Sequence, residues 1–372
     1  MKKILLLAAA AMVMVASCEK TQIINPVEDT IGFDSRMGKL TKAEVDNQAT
    51  LKKQGLKVWA YYAYEDATND IELGDQFDDM YALDVTWDPA LNENKGGWKT
   101  TNDYYWPGEN KDLNFFAVSS DLFKGDSPAL PTANIKFSNN GLATGRAMTV
   151  ENYTVTPANA TDDLMVADFV NQHQGQNGKK VHLNFHHALS RVTFKFLTAQ
   201  AATEQEYVQV NSISVAGLTT NGNLNVTETA SQPSGYATHD GTTTHVSLGW
   251  TAASTTATGN FTLTKAEILG TAAAEYVTWL VIPQDIYTAE LAETNKKVVI
   301  NYSIQSAKNV VTKNVTFELG AETLKAWAVN QAITYTVNIT PTKITFDPSV
   351  SEWDQYDADS STTEKDDINY QN

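Results

Sequence analysis

The sequence predicts an all-β protein built as two antiparallel β-sandwiches in tandem, and three observations carry that prediction. From Lys57 onward, short runs rich in Val, Ile, Thr, Tyr, Phe and Trp are separated by clusters of Gly, Asn, Asp and Pro. Within the clearest runs, apolar and polar residues alternate. Val298, Ile300, Tyr302 and Ile304 fall on one face, Val299, Asn301, Ser303 and Gln305 on the other, and Ile333, Tyr335, Val337 and Ile339 repeat the pattern. Finally, a chain of 372 residues exceeds the usual single hydrophobic core, which makes two domains the expectation. No long window carries helical periodicity; Thr41–Lys53 is polar and has room for one or two turns.

At the N-terminus, Lys2 and Lys3 precede the apolar run Ile4–Val15 and the small-residue box Val15-Ala16-Ser17-Cys18. Charge, apolar core and small residues in that order mark a secretory signal over residues 1–17, and the run is too short to span a bilayer. A box that closes on cysteine resembles a bacterial lipobox, in which the Cys18 thiol takes a diacylglyceryl group before cleavage ahead of it. Acyl chains contribute about 0.8 kcal/mol per buried CH₂, so more than one chain makes a stable anchor. Cys18 is the only cysteine, so no intramolecular disulfide is expected and stability must come from packing.

Taken in order, the expected strands of the first half are Leu56–Tyr64, Tyr81–Trp87, Leu113–Val118, Asn134–Phe137, Leu164–Val170 and Val181–Phe185. Those of the second half are Val192–Leu197, Val208–Val215, Asn223–Thr227, His245–Trp250, Phe261–Ile268, Tyr276–Ile282, Val298–Ile304, Val315–Leu319 and Ile333–Ile339. Between the halves the pattern changes phase: Val181, Leu183 and Phe185 are odd, whereas Val192, Phe194 and Phe196 are even. A strand cannot shift by one residue without a bulge or a break, so the domains are expected to be 37–185 and 186–353. Residues 354–372 hold six acids, one lysine and little to bury, which predicts a mobile acidic tail.

A formal net charge of −17 argues against nucleic acid and against an anionic membrane surface, both of which ask for a basic face. His182, Asn184 and His186 would share one strand face, yet zincin spacing and Cys-x-x-Cys are absent, so neither a metal nor a cofactor is expected. No nucleophile elbow, phosphate loop or catalytic cysteine stands out, and the expectation is that the protein is not an enzyme. The runs Trp59-Ala-Tyr61-Tyr62 and Tyr104-Tyr105-Trp106 read mainly as core, with a carbohydrate-facing surface as the alternative. Only three arginines stand against 24 lysines. Arg191 starts a strand, Arg146 reads as a residue of a Gly-rich loop, and Arg36 follows a short extended run in polar surroundings that a protease could reach.

The lipobox, the run WKTTNDYYWPGENKDLNFFAV at Trp98–Val118, FHHALSRVTFKF at Phe185–Phe196, VIPQ at Val281–Gln284, and WAVNQAITYTVNI closing on SVSEWD together resemble the fimbrillin-like lipoproteins of Bacteroides, within the type V pilin superfamily. That resemblance implies two transthyretin-like sandwiches, export to the outer membrane, and cleavage after a basic residue by a trypsin-like, Arg-specific protease. It also implies assembly with other fimbrial subunits by strand donation, for adhesion. Mapped onto this chain, residues 18–36 become a lipidated propeptide whose removable strand, Asp29–Phe33, fills pockets with Ile31 and Phe33. The cut falls between Arg36 and Met37, with Lys39 and Lys42 as further basic sites, and the candidate donor strand carries Ile344, Phe346, Val350 and Trp353. The alternative is a non-polymerising surface lipoprotein that binds glycans or host ligands through exposed aromatics.

Overall fold

The computed structural model describes residues 30–37, 45–65, 71–77, 80–107, 111–124, 129–139, 146–174, 180–228, 242–244, 246–254, 257–290, 292–341 and 343–353. In the first half the strands are β1 (Gly32–Met37), β2 (Leu56–Glu65), β3 (Ile71–Gln76), β4 (Leu83–Asp88), β5 (Gly97–Thr100), β6 (Leu113–Ser119), β7 (Ile135–Asn139), β8 (Arg146–Thr154), β9 (Met165–Ala167), β10 (Phe169–Gln172) and β11 (Lys180–His187). The second half continues with β12 (Ser190–Leu197), β13 (Tyr207–Thr219), β14 (Asn221–Glu228), β15 (Thr242–Thr244), β16 (Val246–Ala252), β17 (Thr258–Ile268), β18 (Ala274–Val281), β19 (Gln284–Asp285), β20 (Lys297–Gln305), β21 (Val310–Glu318), β22 (Ala326–Trp327), β23 (Gln331–Ile339) and β24 (Ile344–Glu352). Among the described residues the one longer helix, α1 (Val45–Gln54), precedes β2 and seats Leu51 in the core.

Four main sheets result, each named by its strand order. The largest runs β1-β11-β9-β6-β2-β4-β5, with β3 added to β2, and with β10 joining β6 to β15. A second is β16-β14-β8-β7, a third β18-β12-β23-β24 and a fourth β17-β13-β20-β21. Pairing is antiparallel except for β1 on β11 and β12 on β23, which are parallel.

The largest sheet is covered on both faces, which is why β6 reads as a near-continuous apolar run, LNFFAVS, buried throughout. Its Leu113, Phe115 and Ala117 enter a smaller core with Ile31, Phe33, Val58, Trp106, Val181 and Leu183. Phe116 and Val118 point the other way, into a larger core that extends through Phe194, Trp279 and Tyr335.

The phase change falls where β11 ends at His187 and β12 begins at Ser190, with Ala188 and Leu189 fully buried between them. A linear division at residue 185 is nevertheless not how the sheets divide. The chain leaves β13 in the fourth sheet at Thr220 and enters β14 in the second, where β14 pairs with β8 and β16. Thr220 makes that crossing possible by bonding in both directions: its N–H donates to the Ala257 carbonyl (3.0 Å) and its carbonyl accepts from Val155 N–H (2.8 Å). β14 and β16 therefore complete a sheet begun in the first half.

Arg146 also differs from its expected loop setting. It is the first residue of β8 and is 1% exposed. Its Nε donates to Glu228 Oε1 (2.5 Å), its backbone N–H to Glu228 Oε2 (2.9 Å), and a terminal nitrogen to Asn114 Oδ1. Burial pushes the guanidinium below its ordinary pKa, and the Glu228 carboxylate opposes that shift. The ion pair ties β8 to the end of β14, and Asn114 extends the tie to β6 in the largest sheet.

Candidate functional site

β1 is the terminal strand of the largest sheet, and among the described residues the strand it pairs with is β11, in parallel. The residues of β1 alternate in and out. Ile31, just ahead of the strand, and Phe33 within it are each 5% exposed, and the Phe33 ring meets Phe115 edge-on at 6.2 Å. Ile31 N–H donates to the Tyr104 carbonyl (2.7 Å), and Thr30 bridges to Tyr105, so the entry to β1 is held as well. The described strand begins at Gly32 and runs through Arg36, and Asp29 lies outside the described residues. In register, Arg36 faces Asn184 and Met37 faces Phe185. The Arg36–Met37 bond is therefore inside a paired strand rather than after it. The apolar alternation ends at Phe33, whereas backbone pairing with β11 continues past it, and only the first was visible in the sequence. Cys18, Lys39 and Lys42 lie outside the described residues.

The outer side of this ladder carries a row of imidazole and carboxylate groups. His182 Nδ1 is 3.4 Å from Asp34 Oδ2, across the β1–β11 register. His186 Nε2 is 3.0 Å from Asp168 Oδ1, and Asn184 Nδ2 donates to Asp168 Oδ2 (2.9 Å). Asp168 is fully buried and also accepts from Val246 N–H (3.1 Å). Each imidazole of the row thus meets a carboxylate, and among the described residues no group of three His, Cys, Asp or Glu side chains is placed to hold a metal. Asp34 became recognisable as the partner of His182 only once the parallel register was known.

On the opposite face of β11, His187 Nδ1 lies 2.6 Å from Asp163 Oδ2, and both residues are buried. The His187 ring stacks on Trp353 at 3.7 Å with an interplanar angle of 5°, and the Arg191 guanidinium sits 5.0 Å from the Trp353 ring. Trp353 N–H donates to the Asn330 carbonyl (2.8 Å). The end of β24 is thereby pinned against the end of β11.

The candidate donor residues are placed within the chain's own fold. β24 pairs with β23 along nine residues as the last strand of its sheet. Phe346 stacks on Phe317 (4.8 Å) and Tyr335 (5.0 Å), and Ile344 packs beside the larger core. Val350 is 47% exposed, and Trp353, beyond the strand, turns inward. The four do not line one face, because Trp353 is odd-numbered and follows the end of the ladder.

Among the aromatic runs, Trp59 and Trp106 are buried, while Tyr105 is 36% exposed. Tyr61 is half-buried, and burial pushes its phenol up to about 12. Tyr81 adds a smaller push in the same direction. These rings are distributed between both cores and do not form one platform.

A sequence profile described as fimbrillin-like matches residues 41–353. No curated protein matches the chain. Among solved structures, a fimbrial protein from Bacteroides vulgatus aligns at 18% identity with a TM-score of 0.53, covering 87% of this chain and 99% of its own. A candidate cell adhesion protein from Bacteroides uniformis aligns at 13% identity and TM-score 0.43, covering 87% and 98%. A fimbrial assembly protein from Parabacteroides distasonis aligns at 14% identity and TM-score 0.36, covering 87% and 100%. The first of these likenesses carries the fold.

Proposed function

The chain belongs to the fimbrillin-like family, and on that premise we propose that it is a structural subunit of a cell-surface fimbria serving adhesion. It is made as a lipoprotein precursor and assembled with other fimbrial subunits by strand donation. Residues 1–17 direct export, Cys18 carries the lipid on the outer membrane, and an Arg-specific protease cuts after Arg36 to release the extracellular form.

The observation that carries this reading is the position of β1. It lies ahead of the family-matched segment 41–353, yet it closes the end of the largest sheet and puts Ile31 and Phe33 into the smaller core. Its removal would expose the unpaired backbone edge of β11 and an apolar strip beside Val181, Leu183 and Phe115. Such an edge is a template for an incoming strand. Two refilled pockets would contribute about 1.5–3 kcal/mol each. Donor and groove are different surfaces of one subunit, so the contact is heterologous and propagates into a filament. In this reading the donor is β24, which must first leave β23 and release Phe346 and Trp353 from their stacks.

The test is treatment of the purified chain with a trypsin-like protease, followed by N-terminal sequencing and electron microscopy. A new N-terminus at Met37 together with ordered filaments supports the proposal. A Met37 terminus that stays monomeric, or a surface form that retains lipidated Cys18, overturns it.

A further inference from the structure

We propose that the outer edge of β21 is a lateral docking surface for a second copy of this chain. The two β21 strands pair antiparallel about Asn314 and continue the fourth sheet across both subunits.

β21 closes one side of that sheet, and among the described residues no strand pairs with its outer edge. It runs nine residues in unbroken register against β20, Lys297↔Glu318 through Gln305↔Val310, and contains no proline. Two of the other edges are guarded: β24 carries Asp347 and Pro348, and β17 follows β13 through two register shifts and bears the Lys265–Glu267 pair. On β21, Val310 is 59% exposed and Val311 46%. Beneath the strand, the Phe317–Phe346 stack at 4.8 Å holds it flat against the sandwich.

The strand's own sequence selects the partner and the register. With Asn314 opposite Asn314, all nine residues find a counterpart: Val310 meets Glu318, Val311 meets Phe317, Thr312 meets Thr316, and Lys313 meets Val315. Odd residues then face odd and even face even, as one continuous sheet requires, and no like charges are opposed. Centring the pair one residue earlier would set Lys313 against Lys313.

A side-chain ladder leads to the same point. Gln209 Nε2 donates to Asn211 Oδ1 (2.7 Å), Asn211 Nδ2 to Asn301 Oδ1 (2.8 Å), and Asn301 Nδ2 to Asn314 Oδ1 (2.7 Å). Its last rung, Asn314, sits on the outermost strand, where the copy's Asn314 continues the row. The contact is lateral and pairs with neither β1 nor β24, and its test uses the uncleaved chain, in which the Phe317–Phe346 stack is in place, so its failure is distinguishable from a failure of strand donation.

The test uses the full chain in a Cys18→Ser background, which leaves an introduced thiol as the only one. Paired residues have Cα atoms about 4.5–5.5 Å apart, within disulfide reach. Oxidised Asn314→Cys should therefore give a covalent dimer. Val310→Cys lies about 27 Å from its own copy in this register and should stay uncross-linked. Sedimentation of the Cys18→Ser chain should show a concentration-dependent dimer that Asn314→Lys weakens about fivefold, with an unchanged circular dichroism spectrum. A chain that is monomeric at every concentration, or equal cross-linking at positions 310 and 314, overturns the proposal.

Discussion

Replacing Phe33 with alanine tests whether β1 is held chiefly by its side chains. Phe33 is 5% exposed and meets Phe115 edge-on at 6.2 Å. Core Phe→Ala changes cost about 3–5 kcal/mol, of which the aromatic pair accounts for about 0.5–1.5. β1 is an edge strand laddered to β11 alone among the described strands, so the loss should fall on the local opening of β1 rather than on unfolding of the whole chain. The Arg36–Met37 bond is cleavable only after that opening, because it lies in the β1–β11 register. When opening is fast relative to cleavage, the rate follows the open population, and a loss of about 3 kcal/mol raises it about 100-fold. Mass spectrometry of the new Met37 terminus over a trypsin time course reads that rate, while urea denaturation reads global stability. Phe33→Leu, which retains most of the volume, should stay within about tenfold of the parent. An unchanged rate at Arg36–Met37 in Phe33→Ala would refute the argument, since it would mean that the backbone ladder alone holds the strand.

Two further outcomes are expected. Glu228→Ala leaves the buried Arg146 guanidinium without its carboxylate and should lower stability in urea by about 3 kcal/mol, whereas the double change Arg146→Met with Glu228→Leu should recover most of that loss. Tyr61, with its phenol pushed up to about 12, keeps its proton in the fold at a pH where the unfolded chain has begun to release it. The stability this contributes is fully present below about pH 10 and is lost as the pH rises toward 12, so the urea midpoint should fall over that window and Tyr61→Phe should flatten the fall.

Strands that alternate or are wholly apolar were readable in advance. Val298–Ile304, Ile333–Ile339 and Leu113–Val118 all lie inside observed strands because their side chains alone declare which faces are buried. β8 was not foreseen: RAMTVENYT begins with a charge and is interrupted by Asn152 at a φ of 53°, and its partners β7 and β14 come from opposite halves of the chain. β1 runs on past Phe33, a continuation hidden in the sequence because Asp34, Ser35 and Arg36 look like loop residues until β11 is set beside them. The break at Ala188–Leu189 was visible as a change of parity, since a shift of inward side chains by one residue is recorded in the sequence whatever lies around it.

Local chemistry therefore reads directly from the chain: the apolar N-terminal run that ends in small residues and Cys18, the alternation of the half-buried strands, and the acidic surplus. These follow from each residue's own transfer energy and from the period of an extended backbone. Long-range pairing does not follow in that way. The parallel seating of β1 on β11, the return of β14 to β8, the burial of Arg146 against Glu228, and the stacking of Trp353 on His187 were settled by packing. Each joins residues separated by tens to hundreds of positions, and each is favourable only once the surrounding sheets have excluded water and fixed the register.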